Sequence, residues 1–215
     1  MADLSFEIVG ARPEPYAAVP TLVFPMRIAE ASGQRIHAVA LRVQVQIQPN
    51  RRSHSAAEQR RLLEMFGEPA RWGETLKPLH WTILSVMVPG FEGAASVDLP
   101  MTCTYDFEVA AAKYFEALDD GEIPLLFLFS GSVWTPGASG FMVERVPWEK
   151  EAGFRLPVRV WREAMDLYFP NSAWIRLQRE SLDALQRFKA ERALPTWDDA
   201  VAALLANVPL SEVPS

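Results

Sequence analysis

The chain has 215 residues, 21 basic and 27 acidic side chains, a formal charge of −6, 49% apolar residues and a single cysteine. So apolar a composition at modest net charge excludes a disordered chain. The acidic balance argues against a nucleic-acid binder, which would carry a basic stripe. Cys103 alone makes no internal disulfide and fits a reducing compartment. The length suits one large domain, or a core with an appendage.

Near the start, Asp3 stands where a signal peptide needs basic residues, and no apolar core segment follows. The longest strongly apolar stretch, Ile123 to Phe129, is interrupted by Pro124 and falls far short of the roughly 20 residues of a membrane helix. The expectation is a cytoplasmic protein without membrane insertion.

The first 50 residues show period 2. Leu4, Phe6 and Ile8 alternate with Ser5 and Glu7, the mark of a strand with one buried face. Pro13 and Pro15 then enforce a loop. Leu22, Phe24, Met26 and Ile28 mark a second strand, and Val39, Leu41, Val43, Val45 and Ile47 a third. Ser32-Gly33 offers turn chemistry between them, so an antiparallel pair closed there is expected.

The period changes at Ser55-Ala-Ala-Glu58, which resembles a capping box, with Leu62, Leu63 and Phe66 at helical spacing and Gly67 as a C-cap. A short helix at about 55–66 is expected. The segment Glu68–Trp81 has no period and reads as a long loop around Trp72. Strands are expected at Thr82–Val88 and Val97–Val109, the latter broken near Pro100, with Cys103, Tyr105, Phe107 and Val109 on its buried phase. A short helix is expected over Ala110–Leu118. Leu125–Phe129, apolar on both faces, reads as a central strand. Phe141–Val146 is expected to pair with Val133 and Trp134.

After Pro157 the pattern is helical. Val158, Trp161, Met165 and Tyr168 form one face; Trp174, Leu177, Leu182, Leu185 and Phe188 form another; Thr196 caps a third helix with Asp198 and Asp199 in its first turn. Many strands followed by helices indicate α+β: a mainly antiparallel β-sandwich, immunoglobulin-like or related, followed by a C-terminal helical segment. The expected division is a β-rich domain over 1–157 with the inserted helix near 55–66, helices over 158–208 packed on it, and a flexible tail over 209–215.

Chemistry is sparse. No Walker loop, His-Glu-x-x-His or Gly-x-Ser-x-Gly occurs. His37, His54 and His80 are scattered, so no metal and no cofactor is expected. Cys103 reads as a small core residue, and Asp119-Asp120 and Asp198-Asp199 as turn and helix-start acids. Trp161, Trp174 and Trp197 read as core. Arg51-Arg52, with Arg60 and Arg61, is the basic concentration, and arginine forks suit a partner's carboxylates. Trp72 and Trp148 lie in irregular stretches, where an exposed indole anchors an interface. The candidate partner-binding residues are therefore Arg51, Arg52, Trp72 and Trp148, with no catalytic residue.

Four runs, Gly10–Tyr16, Phe66–Gly73, Thr104–Val109 and Leu194–Asp199, resemble an uncharacterised bacterial family encoded in [NiFe]-hydrogenase gene clusters. The resemblance implies a role near hydrogenase assembly or function, with a hydrogenase subunit or maturation factor as partner. It supplies no catalytic residue, and the chain lacks a cysteine set for nickel or iron–sulfur ligation. The leading expectation is a non-catalytic accessory or interaction protein. The alternative is a small-ligand-binding protein or enzyme with an apolar pocket between sheet and helices.

Overall fold

The computed structural model describes residues 2–103, 109–138, 140–168, 170 and 177–206, Val109 by its backbone only. Two antiparallel sheets form the body. The first contains β1 (Leu4–Ile8), β2 (Arg12–Pro13), β3 (Thr21–Glu30) and β6 (Ala94–Thr102); β1 and β2 share one edge of β3, and β6 takes the other. The second contains β4 (Ile36–Ile47), β5 (Leu79–Phe91), β7 (Glu122–Gly137), β8 (Gly140–Arg145) and β9 (Glu151–Pro157). Its order is β5-β4-β7, with β9 and β8 dividing the far edge of β7 between them. The α+β sandwich with C-terminal helices is thus as the alternation indicated.

The inner faces carry the strand residues that the alternation put on buried phase: Leu22, Phe24, Met26 and Ile28 from β3 against Val39, Leu41, Val43 and Val45 from β4. Aromatic rings join the sheets. Phe6 stacks on Phe129 with centroids 4.2 Å apart, and Phe24 lies 5.5 Å from Phe127. Such ring contacts add to the area term that dominates a core of this kind.

The expected β3–β4 pair does not form. The two strands lie in different sheets, and the Ser32-Gly33 segment carries the chain across the sandwich. Each strand buries one apolar face, and facing across a core satisfies that pattern as well as lying side by side. Glu30 anchors the crossover: its carboxylate accepts from the N–H groups of Asp3 (3.1 Å), Ser32 (2.9 Å) and Gln34 (2.9 Å) and from the Ser32 hydroxyl. The β5–β6 turn crosses beside it, with the Glu30 N–H donating to the Gly93 carbonyl at 2.7 Å.

Burial alone would raise the Glu30 pKa, but the Ser32 hydroxyl and then the three N–H donors outweigh it and hold the group at about 2. The unfolded carboxyl titrates near 4.5, so between these values the unfolded state binds more protons. This contribution to stability is fully present above pH 4.5 and is lost as pH falls towards about 2. Urea titrations of the wild type and Glu30→Gln should therefore diverge at pH 7 and converge near pH 2. A difference that stays constant with pH would remove the carboxylate from this role.

The helix expected near 55–66 is two short helices, α1 (Ala56–Arg61) and α2 (Leu63–Phe66), with the Ser55–Glu58 capping box present and Gly67 at φ 70° closing the second. The loop around Trp72 holds a further short helix, α3 (Trp72–Thr75), and β5 begins earlier than expected, at Leu79. The expected strand over 97–109 ends at Thr102, and Val109 opens a helix, α4 (Val109–Glu116), instead. Tyr105 and Phe107 lie outside the described residues; Cys103 is buried. β7 runs through Pro124 as the central strand, and β8 pairs with it as expected, with Trp134 opposite Val143 and Val133 opposite Glu144. β9, unassigned from the sequence, alternates Ala152, Phe154 and Leu156 towards the core.

Gly131 marks the place where β7 changes partner from β9 to β8. Its φ is 144°, and a Cβ there would lie 2.0 Å from the Ala40 carbonyl oxygen, so only glycine fits.

The chain divides into two compact units, Met1–Asn171 and Ser172–Ser215. The helix α5 (Val158–Tyr168) belongs to the first, so the expected boundary at 157/158 lies inside a unit. The reason is burial: Val158, Trp161 and Ala164 enter the core, and Trp161 meets Phe115 edge-on at 5.5 Å. The second unit holds α6 (Arg179–Glu191) and α7 (Trp197–Leu205), the latter capped by the Thr196–Asp199 box. Trp174 and the tail 209–215 lie outside the described residues. Trp197, expected in the core, is 45% exposed with the Lys189 ammonium 5.5 Å above its ring.

Candidate functional site

At one end of the sandwich, α1 and the segment before it share a buried ion pair, both partners of which bond the backbone of the Ala117–Glu122 connection. Arg52 Nη2 meets Glu58 Oε1 at 2.9 Å, and Glu58 is 3% exposed. The same carboxylate accepts the Asp119 N–H and the Ser55 N–H, both at 2.9 Å. Arg52 also donates to the carbonyls of Asp120 and Glu122, each at 3.4 Å. Arg61 pairs with Asp119 and donates to the Ala117 carbonyl at 2.9 Å.

Beside this pair, His54 Nε2 and the Tyr114 hydroxyl are 3.1 Å apart, and Trp72 and Phe66 close the aromatic box around them. Burial and the Arg52 charge push the His54 pKa below its ordinary value, with Glu58 partly opposing. Burial likewise raises the Tyr114 phenol well above its ordinary range. Both rings are therefore neutral at pH 7, and each occupies the other's hydrogen-bonding atom. The cluster is a clasp holding α1 to α4.

The structure separates the residues marked from the sequence. Arg51 is exposed, whereas Arg52 is spent on Glu58 and Trp72 donates its indole N–H to the Gly67 carbonyl at 2.9 Å. Arg52 and Trp72 are brought together around His54, as parts of the clasp rather than free arms. Trp148 stands in the β8–β9 turn with 90% of its surface exposed. Among the described residues no group of three or more His, Cys, Asp or Glu could hold a metal. His37 stacks on Phe141 at 4.1 Å, at the opposite end from the clasp. There a shallow open cleft of about 270 Å³ is lined by Arg35, Ile36, His37, Gly90, Phe91 and Glu92.

A feature not foreseen from the sequence is the outer face of the second sheet. Residues directly opposite across an antiparallel ladder share a face. The pairings place Pro89, Ala38, Trp134 and Val143 in one apolar row across β5-β4-β7-β8, with Met87, Ala40, Ser132 and Arg145 in the adjacent row. Phe141 follows Val143 on the same face of β8. Met87, Phe141 and Val143 are 61%, 60% and 59% exposed. The signal available in the sequence was Phe141-Met142-Val143, three apolar residues in succession where a strand facing water on its outer side needs a polar one.

Among known proteins, the family described as "Family of unknown function (DUF6084)" matches residues 1–212. No curated protein matches the chain. Solved structures with local likeness include a β-glucosidase from Kluyveromyces marxianus, 11% identical, TM-score 0.25, covering 73% of this chain and 15% of that one. Another is β-glucosidase 3B from Thermotoga neapolitana, 10% identical, TM-score 0.23, covering 72% of this chain and 17% of that one. The chain spans about a sixth of those enzymes, and a likeness this slight says nothing about activity.

Proposed function

The chain belongs to the DUF6084 family, and on that premise we propose that it is a non-catalytic accessory protein that works by binding another protein. The observation that carries this reading is the apolar row on the outer face of the second sheet, with Met87, Phe141 and Val143 open to solvent. Contiguous exposed apolar surface of this kind marks interaction sites in folded proteins. Trp148, exposed in the β8–β9 turn, can add an indole anchor beside this face, while Arg51, exposed at the clasp end of the sheet, can take a carboxylate contact elsewhere on a partner. The partner we propose is a subunit or maturation factor of a [NiFe]-hydrogenase, on the resemblance carried by the four sequence runs, with the work done in the cytoplasm.

The test is capture with a tagged chain in cells that make such an enzyme, with partners identified by mass spectrometry. A hydrogenase subunit or maturation factor should be recovered by the wild type. Met87→Lys places a charge on the β5 side of the face and should weaken binding by about 2 kcal/mol, roughly thirtyfold. Recovery of no hydrogenase component, or recovery unaffected by Met87→Lys, would defeat the proposal.

A further inference from the structure

The edge strand β8 is unlike the edges formed by β2, β5 and β6. Edge strands expose unpaired N–H and C=O groups, and proteins ordinarily blunt them with proline, charge or a bulge. β2 ends on Pro13, β6 carries Asp98 and Pro100, and β5 carries Pro89 and a register shift against β4 at Val45/Gln46. β8, Gly140-Phe-Met-Val-Glu-Arg145, has no proline, and its one acid and one base cancel. No strand among the described residues pairs with its outer edge.

Which backbone groups face outward follows from the ladder. The Val146 N–H donates to the Gly131 carbonyl at 3.0 Å, in register with the Ser132–Arg145 pairing. In an antiparallel pair, alternate residues turn their backbone groups to the same neighbour. Glu144, Met142 and Gly140 therefore turn theirs towards β7, and Phe141, Val143 and Arg145 turn theirs away.

We propose that this edge is the interface of a symmetric dimer, β8 of one copy pairing antiparallel with β8 of a second copy about a two-fold axis at Val143. With Val143 opposite Val143 of the second copy, Phe141 falls opposite Arg145 and Arg145 opposite Phe141. All three outward-facing residues then meet outward-facing residues, and each pair exchanges two backbone hydrogen bonds. Shifting the register by two residues leaves one residue of the three unmatched on each copy. Side chains agree with the same register: each Arg145 guanidinium lies beside a Phe141 ring, a favourable cation–aromatic pair. The isologous contact closes on itself and joins the two outer apolar faces into one surface. Dimerisation goes beyond the accessory role and stands or falls separately from partner capture.

Sedimentation of the purified full chain should show a dimer. Val143→Pro removes an outward N–H without touching a β7–β8 bond, and should give a folded monomer whose melting temperature no longer depends on protein concentration. Phe141→Lys sets lysine against Arg145 of the second copy and should also give a monomer. The double variant Phe141→Lys/Arg145→Glu sets lysine against glutamate and should restore the dimer, which no other register does. Partner capture, read through Met87→Lys, is independent of these outcomes. A monomeric wild type up to its solubility limit overturns the proposal, as does a dimer that survives Phe141→Lys or a double variant that stays monomeric.

Discussion

Glu58→Ala should be among the most damaging single substitutions in the chain, costing about 3–5 kcal/mol, because it strands the Arg52 guanidinium in a site with little water. The loss is compound. Glu58 neutralises Arg52, accepts the Asp119 N–H, and closes the capping box by accepting the Ser55 N–H. The cap alone is worth about 1 kcal/mol, so most of the effect belongs to the uncompensated charge. Urea denaturation should show the midpoint falling with little change in slope. Replacing both partners, as in Arg52→Met/Glu58→Leu, removes the stranded charge and should cost less than the sum of the singles. A cost below about 1 kcal/mol for Glu58→Ala would mean that Arg52 finds water, and the clasp would lose its energetic basis.

The contrast between Glu58 and Glu30 shows how far each was visible in the sequence. Ser55-x-x-Glu58 is a local pattern, and both halves of the box form as its spacing requires. So does the Thr196–Asp199 box. The ion pair with Arg52 has no such spacing rule, and the exposed role expected for Arg52 gave way to a buried one. Glu30 sits at the end of an alternating strand, and its three N–H donors come from the start of the chain and from a crossover that the pattern does not encode.

Period 2 reports that a strand buries one face; it is silent on whether the next strand lies beside it or across the core. That ambiguity produced the expected β3–β4 pair. Leu125–Phe129, expected to be buried on both faces, buries Leu125, Phe127 and Phe129 against the other sheet and leaves Leu126 and Leu128 half-buried. Trp72 and Trp148 looked alike in composition, each in an irregular stretch among charges. The structure parts them, because Gly67, His54 and Phe66 converge on Trp72. Trp148 remains 90% exposed. Long-range convergence of that kind leaves no local trace.

Truncation after Pro157 should abolish cooperative folding, whereas truncation after Asn171 should preserve it. The fragment 1–157 loses Val158, Trp161 and Ala164 from the core and uncovers Phe115, against which Trp161 packs. Deleting one such buried tryptophan costs about 3–5 kcal/mol, and the whole domain holds only about 5–15 kcal/mol. Polar ties go with it: Arg162 donates to the Leu118 carbonyl, and the Tyr168 hydroxyl donates to carbonyls of Glu14 and Ala17, which fasten the loop after β2. The expected product is an insoluble or molten fragment that binds a hydrophobic dye and melts without a sharp transition. The fragment 1–171 keeps every one of these contacts and ends where the first compact unit ends, so it should stay soluble and unfold in one step. Side-by-side calorimetry of the two fragments decides the matter. Cooperative unfolding of 1–157 would show that the two sheets are stable without α5, which would then be a detachable face of the first unit. Failure of 1–171 to fold would show that the sheets depend on α6 and α7, and the stability of the whole chain would then be shared between the units.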